Sequence, residues 1–119
     1  MIEPKRVSDI NSLVPYIKTR VESILKELKE LGFDPIIYEA RRSDSRQKWL
    51  YGIGRTHSKK RKPVTWTLNS KHIVGKAVDI ISKSKGWDYP KFFKALRIIA
   101  RKHDMHTLKS EECHIEWRG

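Results

Sequence analysis

The chain is organised around residues 70–80, which read SKHIVGKAVDI. This stretch contains His72 and Asp79, with Gly75 and Ala77 between them and apolar residues on both sides of the aspartate. A carboxylate inside an apolar run is costly to bury unless it is paired or binds a metal ion. Asp79 is therefore the residue of this stretch that most needs an explanation.

A bend and a second fragment could complete a site around Asp79. Residues 74–81 have the pattern of a strand, and Gly75 permits a tight bend that brings His72 back over the aspartate. Residues 111–117 (EECHIEW) supply His114 from another predicted strand. Two imidazoles, one carboxylate and an open fourth position form a donor set that suits zinc. The residues therefore indicate a candidate metal site.

Several other residues remain candidates for roles in such a site. Spacing does not exclude three further histidines as ligands: His57, His103 and His106. Cys113 is a soft ligand, but it adjoins His114, so strand alternation predicts that it faces the opposite side as a core residue. Three carboxylates are candidate general bases: Glu111, Glu112 and Glu116. Two arginines are candidate donors to an oxyanion: Arg41 and Arg42.

Length and charge narrow the class of protein. A chain of 119 residues is expected to form one domain, 1–119, around a single core. The net charge of +12 favours a polyanionic partner, which could be nucleic acid, an anionic membrane surface or the anionic bacterial cell wall. One cysteine excludes an internal disulfide. Without an apolar signal region or a membrane-length apolar run, we expect a product made in the cytoplasm without a transmembrane segment.

Periodicity predicts an α+β domain, with a small antiparallel sheet flanked by helices. Helices are expected at 9–31, after a cap at Ser43 or Asp44, and at 89–103, and strands at 33–38, 74–81 and 114–117. Residues 64–68 predict a strand or an extended loop. Residues 55–63 form a basic loop, which is either a solvated surface loop or a lip that attracts an anionic substrate.

The motifs, taken in chain order, resemble a known family. Residues 70–79 (SxHxxGxAxD) followed by 111–117 (ExxHxEW) resemble the D-Ala-D-Ala carboxypeptidase and L-Ala-D-Glu endopeptidase family of peptidoglycan-cutting zinc enzymes. That family shares its fold with lysostaphin-type peptidases and the hedgehog signalling domain. Residues 42–56 (RSxxxQxxLYxxGRT) are similar to the family's segment upstream of the first zinc ligand. The resemblance runs from about residue 13 to residue 117 and implies the same fold.

The resemblance implies a role for each matched residue. Three residues match the zinc ligands: His72, Asp79 and His114. Glu111 matches the catalytic base, Arg42 matches the arginine that stabilises the oxyanion, and Glu116 would orient His114. Three residues are candidate substrate contacts: Ser70, Gln47 and His106.

The implied activity is hydrolysis of a peptidoglycan stem-peptide bond with Zn²⁺ as cofactor. An L-Ala-D-Glu endopeptidase is expected first and a D-Ala-D-Ala carboxypeptidase second. The short form looks like single-domain phage endolysins: a monomer that acts on the cell wall after the membrane is breached, or that sits on a virion. One rival is a basic nucleic-acid-binding domain, which explains residues 59–62 (KKRK) but not Asp79; another is a non-catalytic zinc fold of the hedgehog type.

Overall fold

The computed structural model describes residues 2–109 and 111–119. Within them, three helices and four strands follow one another along the chain. In order they are α1 (Pro15–Glu30), β1 (Pro35–Glu39), α2 (Asp44–Gly52), β2 (Ala77–Ser82), α3 (Pro90–Lys102), β3 (His106–Leu108) and β4 (Glu111–Glu116). The expected α+β class is confirmed.

The strands form one antiparallel sheet in the order β1-β2-β4-β3. Every residue of β2 is buried, because this strand is central and is covered on both faces. Asp79 on β2 lies opposite Glu39 on β1 and opposite His114 on β4. The sheet therefore places three ionisable residues in one row across β1, β2 and β4.

Helices α1 and α3 pack against the sheet around one apolar cluster. The buried residues of α1 follow the spacing of a single helix face: Ile17, Val21, Ile24 and Leu28. They meet the buried face of α3 and the inner residues of the sheet, among them Phe92, Leu96, Val78, Ile80 and Ile115. Each such side chain contributes about 1.5–3 kcal/mol on burial.

Helix α2 is buried through polar residues instead. Within the described residues it contributes nothing to the apolar cluster, and its buried positions are Arg46, Gln47 and Gly52. Ser43 caps the helix by accepting a hydrogen bond from the Arg46 amide, as the sequence predicts. Polar contacts therefore hold this helix in place. Two of its buried side chains, Arg46 and Gln47, reach the candidate site described below.

Residues 64–68 are an extended loop, one of the two expected alternatives. Two details differ from the sequence expectation. The first long helix begins at Pro15, because Asp9 caps a separate single turn, Ile10–Ser12. Strand β3 was not expected, since three residues are too few to show alternation.

Candidate active site

His72, Asp79 and His114 come together in a buried cluster. Their candidate ligand atoms lie within 4.8 Å of one another. Nε2 of His72 lies 3.2 Å from Oδ1 of Asp79, and Nδ1 of His114 lies 3.3 Å from the same oxygen. All three residues are less than a tenth exposed. The two nitrogens and the carboxylate therefore point to one place.

A glycine bend brings His72 to the sheet. Gly75 has a φ of +72°, which an L side chain rarely adopts, and its amide donates to the carbonyl of His72. A Cβ at Gly75 would lie 3.2 Å from the amide nitrogen of Val14, so the bend also packs closely on the chain before α1. The bend expected from the sequence is confirmed. It lets the chain turn back between His72 and β2.

The second nitrogen of each imidazole is held by the protein. Nδ1 of His72 donates to the carbonyl of Ala40 at 2.7 Å. Nε2 of His114 donates to Glu116 at 2.8 Å. Such contacts fix the orientation of a metal-binding histidine and leave its other nitrogen free for the ion. His72 thus presents Nε2, and His114 presents Nδ1.

The pKa shifts in the cluster favour ionised carboxylates. Burial acts to raise the pKa of Asp79, but hydrogen bonds from His114 and His72 outweigh it and hold that pKa well below its usual range. Burial acts to lower the pKa of His114, but the bonds to Asp79 and Glu116 raise it to about 9. The bond from His114 lowers the pKa of Glu116 to about 2. At neutral pH Asp79 and Glu116 are therefore ionised, while His114 carries a proton that a metal ion at Nδ1 would have to displace.

Glu111 lies beside the open side of the cluster. Its Oε2 is 3.6 Å from Nδ1 of His114, and its side chain is about a third exposed, at 34%. Of the other two carboxylates considered, Glu116 already binds His114 and Arg118, and Glu112 is exposed. Glu111 is thus the carboxylate with both access to solvent and proximity to the donors.

Cys113 departs from the expected alternation. It packs against the apolar cluster, as predicted, yet it also lines the cavity that contains Asp79. The reason is an irregularity in the pairing of β3 with β4, where the register shifts between Thr107 and Leu108. Burial, followed by the charges of Asp79 and Glu111, raises the pKa of its thiol, so the sulfur stays protonated.

Arg42 reaches the cluster from the loop before α2. Its Nη1 donates to Gln47 and its Nη2 to Glu39, both at 2.7 Å, and Nη2 lies 3.7 Å from Oδ2 of Asp79. Its backbone amide donates to the carbonyl of His72. The two side-chain hydrogen bonds, to Gln47 and Glu39, use only part of the guanidinium's donors. Arg42 is therefore fixed next to Asp79 with donors to spare.

Glu39 and Arg46 belong to the site, although sequence reasoning assigned them no role. Glu39 is 1% exposed and binds both Arg42 and Arg46, the latter at 2.5 Å. Burial acts to raise the pKa of Glu39, but the two arginines outweigh it and hold that pKa below its usual value. Nη1 of Arg46 also binds Glu3 at 2.6 Å. The pairing of Glu39 with Asp79 across β1 and β2 is the signal that could have identified it.

Asp79 of the cluster lines a cavity of about 780 Å³, together with Glu111. Other charged side chains in its lining include Arg42 and Arg46. Aromatic and aliphatic side chains also line it, among them Tyr38, Trp49, Leu50, Ile53, Val64 and Trp87. A cleft in which charged groups converge among apolar side chains is a candidate substrate site.

The remaining candidates lie in different places. Oγ of Ser70 accepts from the amide of His72 at 3.2 Å, so Ser70 supports the bend, and Gln47 holds Arg42. His106 is exposed at the start of β3 and lines a separate small cavity. The other two histidines and Arg41 are away from the cluster: His57 stacks on Trp49, His103 pairs with Glu27, and the exposed Arg41 binds Ser12 through its backbone.

The donor set fits a zinc ion. Two imidazole nitrogens and one carboxylate oxygen, with both rings held by a further contact, are what a catalytic zinc site requires. These atoms come from His72, Asp79 and His114, and the nearby Glu111 leaves the fourth side accessible.

None of the helices in residues 2–109 and 111–119 has the length and apolarity to span a bilayer.

Comparison with solved structures identifies the same fold in several peptidases. The LdcB LD-carboxypeptidase, known for peptidoglycan recognition, superposes with a TM-score of 0.68 at 19% identity, over 90% of this chain and 59% of that one. The Serratia marcescens L-Ala D-Glu endopeptidase ChiX gives 0.62 at 20%, over 98% and 88%. A mutant of the vancomycin-resistance D,D-pentapeptidase VanY in complex with Zn(II) gives 0.69 at 15%, over 90% and 73%.

The comparisons of sequence found no match, in contrast to the comparison of structures. No family model matches the sequence, and no curated protein matches it. The chain spans 59% of the length of LdcB, so the likeness covers part of that protein. This chain has the same fold as LdcB, ChiX and the zinc-bound VanY mutant.

Proposed function

We propose that this protein is a zinc-dependent peptidase that hydrolyses the L-Ala–D-Glu bond of peptidoglycan stem peptides. The observation that carries the proposal is the convergence of Nε2 of His72, Oδ1 of Asp79 and Nδ1 of His114, with Asp79 and the neighbouring Glu111 lining a cleft. The fold shared with ChiX and with zinc-bound VanY supports it.

The three converging residues would hold the metal. A zinc ion bound in this way lowers the pKa of a water molecule to about 7 and polarises a carbonyl oxygen. Glu116 and the carbonyl of Ala40 keep the two imidazoles in the orientation that this requires. Glu39 lies across from Asp79 and holds Arg42 beside it.

Glu111 and Arg42 would carry the remaining chemistry. Glu111 takes the proton of the attacking water and passes it to the leaving amine, since its carboxylate lies on the open side of the cluster. Arg42 donates to the oxygen of the scissile carbonyl as negative charge develops there. Gln47 and Glu39 hold the guanidinium in place, so this donor needs no reorganisation during the reaction.

The occupied arginines favour an endopeptidase over a carboxypeptidase. A carboxypeptidase must bind the free carboxylate at the end of its substrate, whereas an endopeptidase need not. The protein's own carboxylates already balance the charge of both guanidinium groups, Arg42 through Glu39 and Arg46 through Glu39 and Glu3. Arg42 keeps donors for a developing oxyanion, but neither arginine offers an uncompensated charge to a substrate carboxylate. A D-Ala-D-Ala carboxypeptidase is the second candidate, because two further cations line the cleft without an ion pair among the described residues: Arg61 and Lys109.

The biological setting that we propose is lysis of a bacterial wall. In this setting a single-domain monomer, similar to a phage endolysin, binds peptidoglycan after the membrane is breached or from a virion. The net charge of +12 would hold it on the anionic wall.

Chelation tests the proposal. Purified protein loaded with zinc should release amino groups from sacculi, and protein stripped with a chelator should not until zinc is restored. A His72→Ala variant given the same zinc should stay inactive. Full release by the stripped protein would refute a metal mechanism.

A further inference from the structure

The basic loop, residues 55–63, places unpaired cations beside the cleft. The loop carries five of them: Arg55, Lys59, Lys60, Arg61 and Lys62. Within the described part of the chain, every ion pair is made by other residues. Like charges on one short segment repel one another and lower the stability of the compact state. An external anion would relieve that repulsion.

The basic loop is held by contacts with α2 near its start and with Gly54 near its far end. The carbonyl of Gly52 accepts three amide hydrogen bonds from the start of the loop. The ring of His57 lies 4.7 Å from that of Trp49, and its Nε2 contacts the Trp49 carbonyl at 2.6 Å. Gly54 packs so closely on the far end that a Cβ there would lie 2.6 Å from the carbonyl oxygen of Arg61. The cations are therefore displayed on a constrained loop.

An exposed apolar strip follows the basic loop. It consists of Val64, Trp66 and Leu68, and Trp66 is 73% exposed. The guanidinium of Arg55 lies over the ring of Tyr51 at 4.0 Å and over that of Trp66 at 5.3 Å. Three exposed apolar side chains that adjoin one another along the chain and border a cleft form a candidate binding surface. A flat ring beside cations suits a sugar ring whose substituents carry negative charge.

The surface continues into the cleft. Arg61, Val64 and Thr65 line the same cavity as Asp79 and Glu111. A molecule bound on the basic loop and the apolar strip would therefore be continuous with one bound in the cleft. A ligand on the surface and an unrelated ligand in the cleft would compete for the same side chains, Arg61, Val64 and Thr65.

We propose that the basic loop and the apolar strip bind the anionic glycan polymer of the bacterial wall and so deliver its stem peptide to the cleft. This inference rests on the proposed function. The anionic groups recognised are carboxylates of the peptidoglycan itself, because the surface is continuous with the cleft that takes its stem peptide. The cations supply long-range attraction and Trp66 supplies a stacking face.

A matched pair of charge variants tests the inference by co-sedimentation with purified sacculi on ice. The loop variant is Lys59→Gln/Lys60→Gln/Lys62→Gln. The control variant removes the same charge from exposed positions on α1 and α3: Lys26→Gln/Lys29→Gln/Lys94→Gln. At low salt the loop variant should bind at least about tenfold more weakly, and its salt slope should fall by about three, while the control stays near wild type. Equal loss in both variants would overturn the inference, because net charge alone would then explain binding.

Further arms separate the possible ligands. Trp66→Ala should weaken binding without changing the salt slope; unchanged binding would remove the apolar strip from the surface. Sacculi stripped of phosphate polymers with hydrofluoric acid should still bind, since their carboxylates remain; lost binding would show that attached phosphate polymers are the ligand and would overturn the inference. If the loop variant loses binding to duplex DNA or to anionic vesicles but not to sacculi, the inference is wrong.

A soluble muropeptide separates this inference from the proposed function. The loop variant should keep the wild-type kcat/KM on such a small substrate, because Lys59, Lys60 and Lys62 do not line the cleft. If wild-type protein with zinc does not cut the muropeptide, the proposed function fails. If it does, and the loop variant binds sacculi like wild type, the inference alone fails.

Discussion

Asp79 and His114 face each other directly across β2 and β4, with Oδ1 of the aspartate 3.3 Å from Nδ1 of the histidine. The pairing of two central strands sets this separation, so two of the three donors stand on the most constrained part of the fold. His72 arrives through the bend at Gly75 and is anchored by Ala40. A site built on paired strands holds its geometry better than one built on loops.

Removing Glu116 should weaken zinc binding without disturbing the ligands themselves. The carboxylate accepts from Nε2 of His114 at 2.8 Å and thereby orients the ring. We expect Glu116→Ala to lower zinc affinity about 10–100-fold, measured by competition with a chromogenic chelator. The matched control is Glu112→Ala, an exposed carboxylate on the same strand, which should bind zinc like wild type. Equal affinities in all three proteins would contradict the assigned role.

Replacing Glu111 should separate chemistry from metal binding. Glu111→Gln keeps the size of the side chain but removes its ability to accept a proton. We expect normal zinc content and a loss of about 10²–10⁴-fold in turnover on a soluble muropeptide. Retained turnover would contradict this role for Glu111 and would assign the general base to Glu112 or Glu116.

Glu39→Gln should destabilise the fold and slow the reaction together. Glu39 is the shared partner of Arg42 and Arg46, so its loss leaves Arg42 with only the more distant Asp79 and Arg46 with only Glu3. We expect the free energy of unfolding in urea to fall by about 1–3 kcal/mol. Glu30→Gln, at the exposed end of α1, should change it by less than about 0.5 kcal/mol. A similarly small change for Glu39→Gln would show that the buried pairs are replaceable.

Asp34 should make stability depend on acid pH. Hydrogen bonds from Ser82 and then Ser84 lower the pKa of this carboxyl to about 2. Because the pKa in the folded state lies below the unfolded value of about 3.9, the stabilisation is complete above about pH 4 and is lost as the pH falls toward about 2. The gap in Tm between wild type and Asp34→Asn should therefore close over this range in differential scanning calorimetry. A gap that stays constant from neutral to acid pH would refute the assignment.

The approach of His72, Asp79 and His114 could be predicted because each step depends on local sequence. An aspartate inside an apolar strand needs a partner, Gly75 supplies the bend, and His114 belongs to a neighbouring strand. The cap at Ser43 follows from residue type in the same way.

The rest of the site depends on long-range packing. Glu39 ends a short strand, where a carboxylate is usually exposed, and its burial follows from its pairing with Asp79 and from Arg46 on α2. Cys113 enters the cleft because β4 pairs irregularly with β3, which alternation along one strand cannot reveal. Strand β3 is stabilised by its partner strand more than by its own three residues, and with it His106 lies away from the cleft.

The central claim is tested most directly by mass spectrometry of the products from a muropeptide of defined sequence. Zinc-loaded protein is predicted to cut between L-Ala and D-Glu, chelator-stripped protein to leave the substrate whole, and restored zinc to recover the same two products. Cleavage that persists at full rate after stripping, or no cleavage by the zinc-loaded protein, would contradict the account.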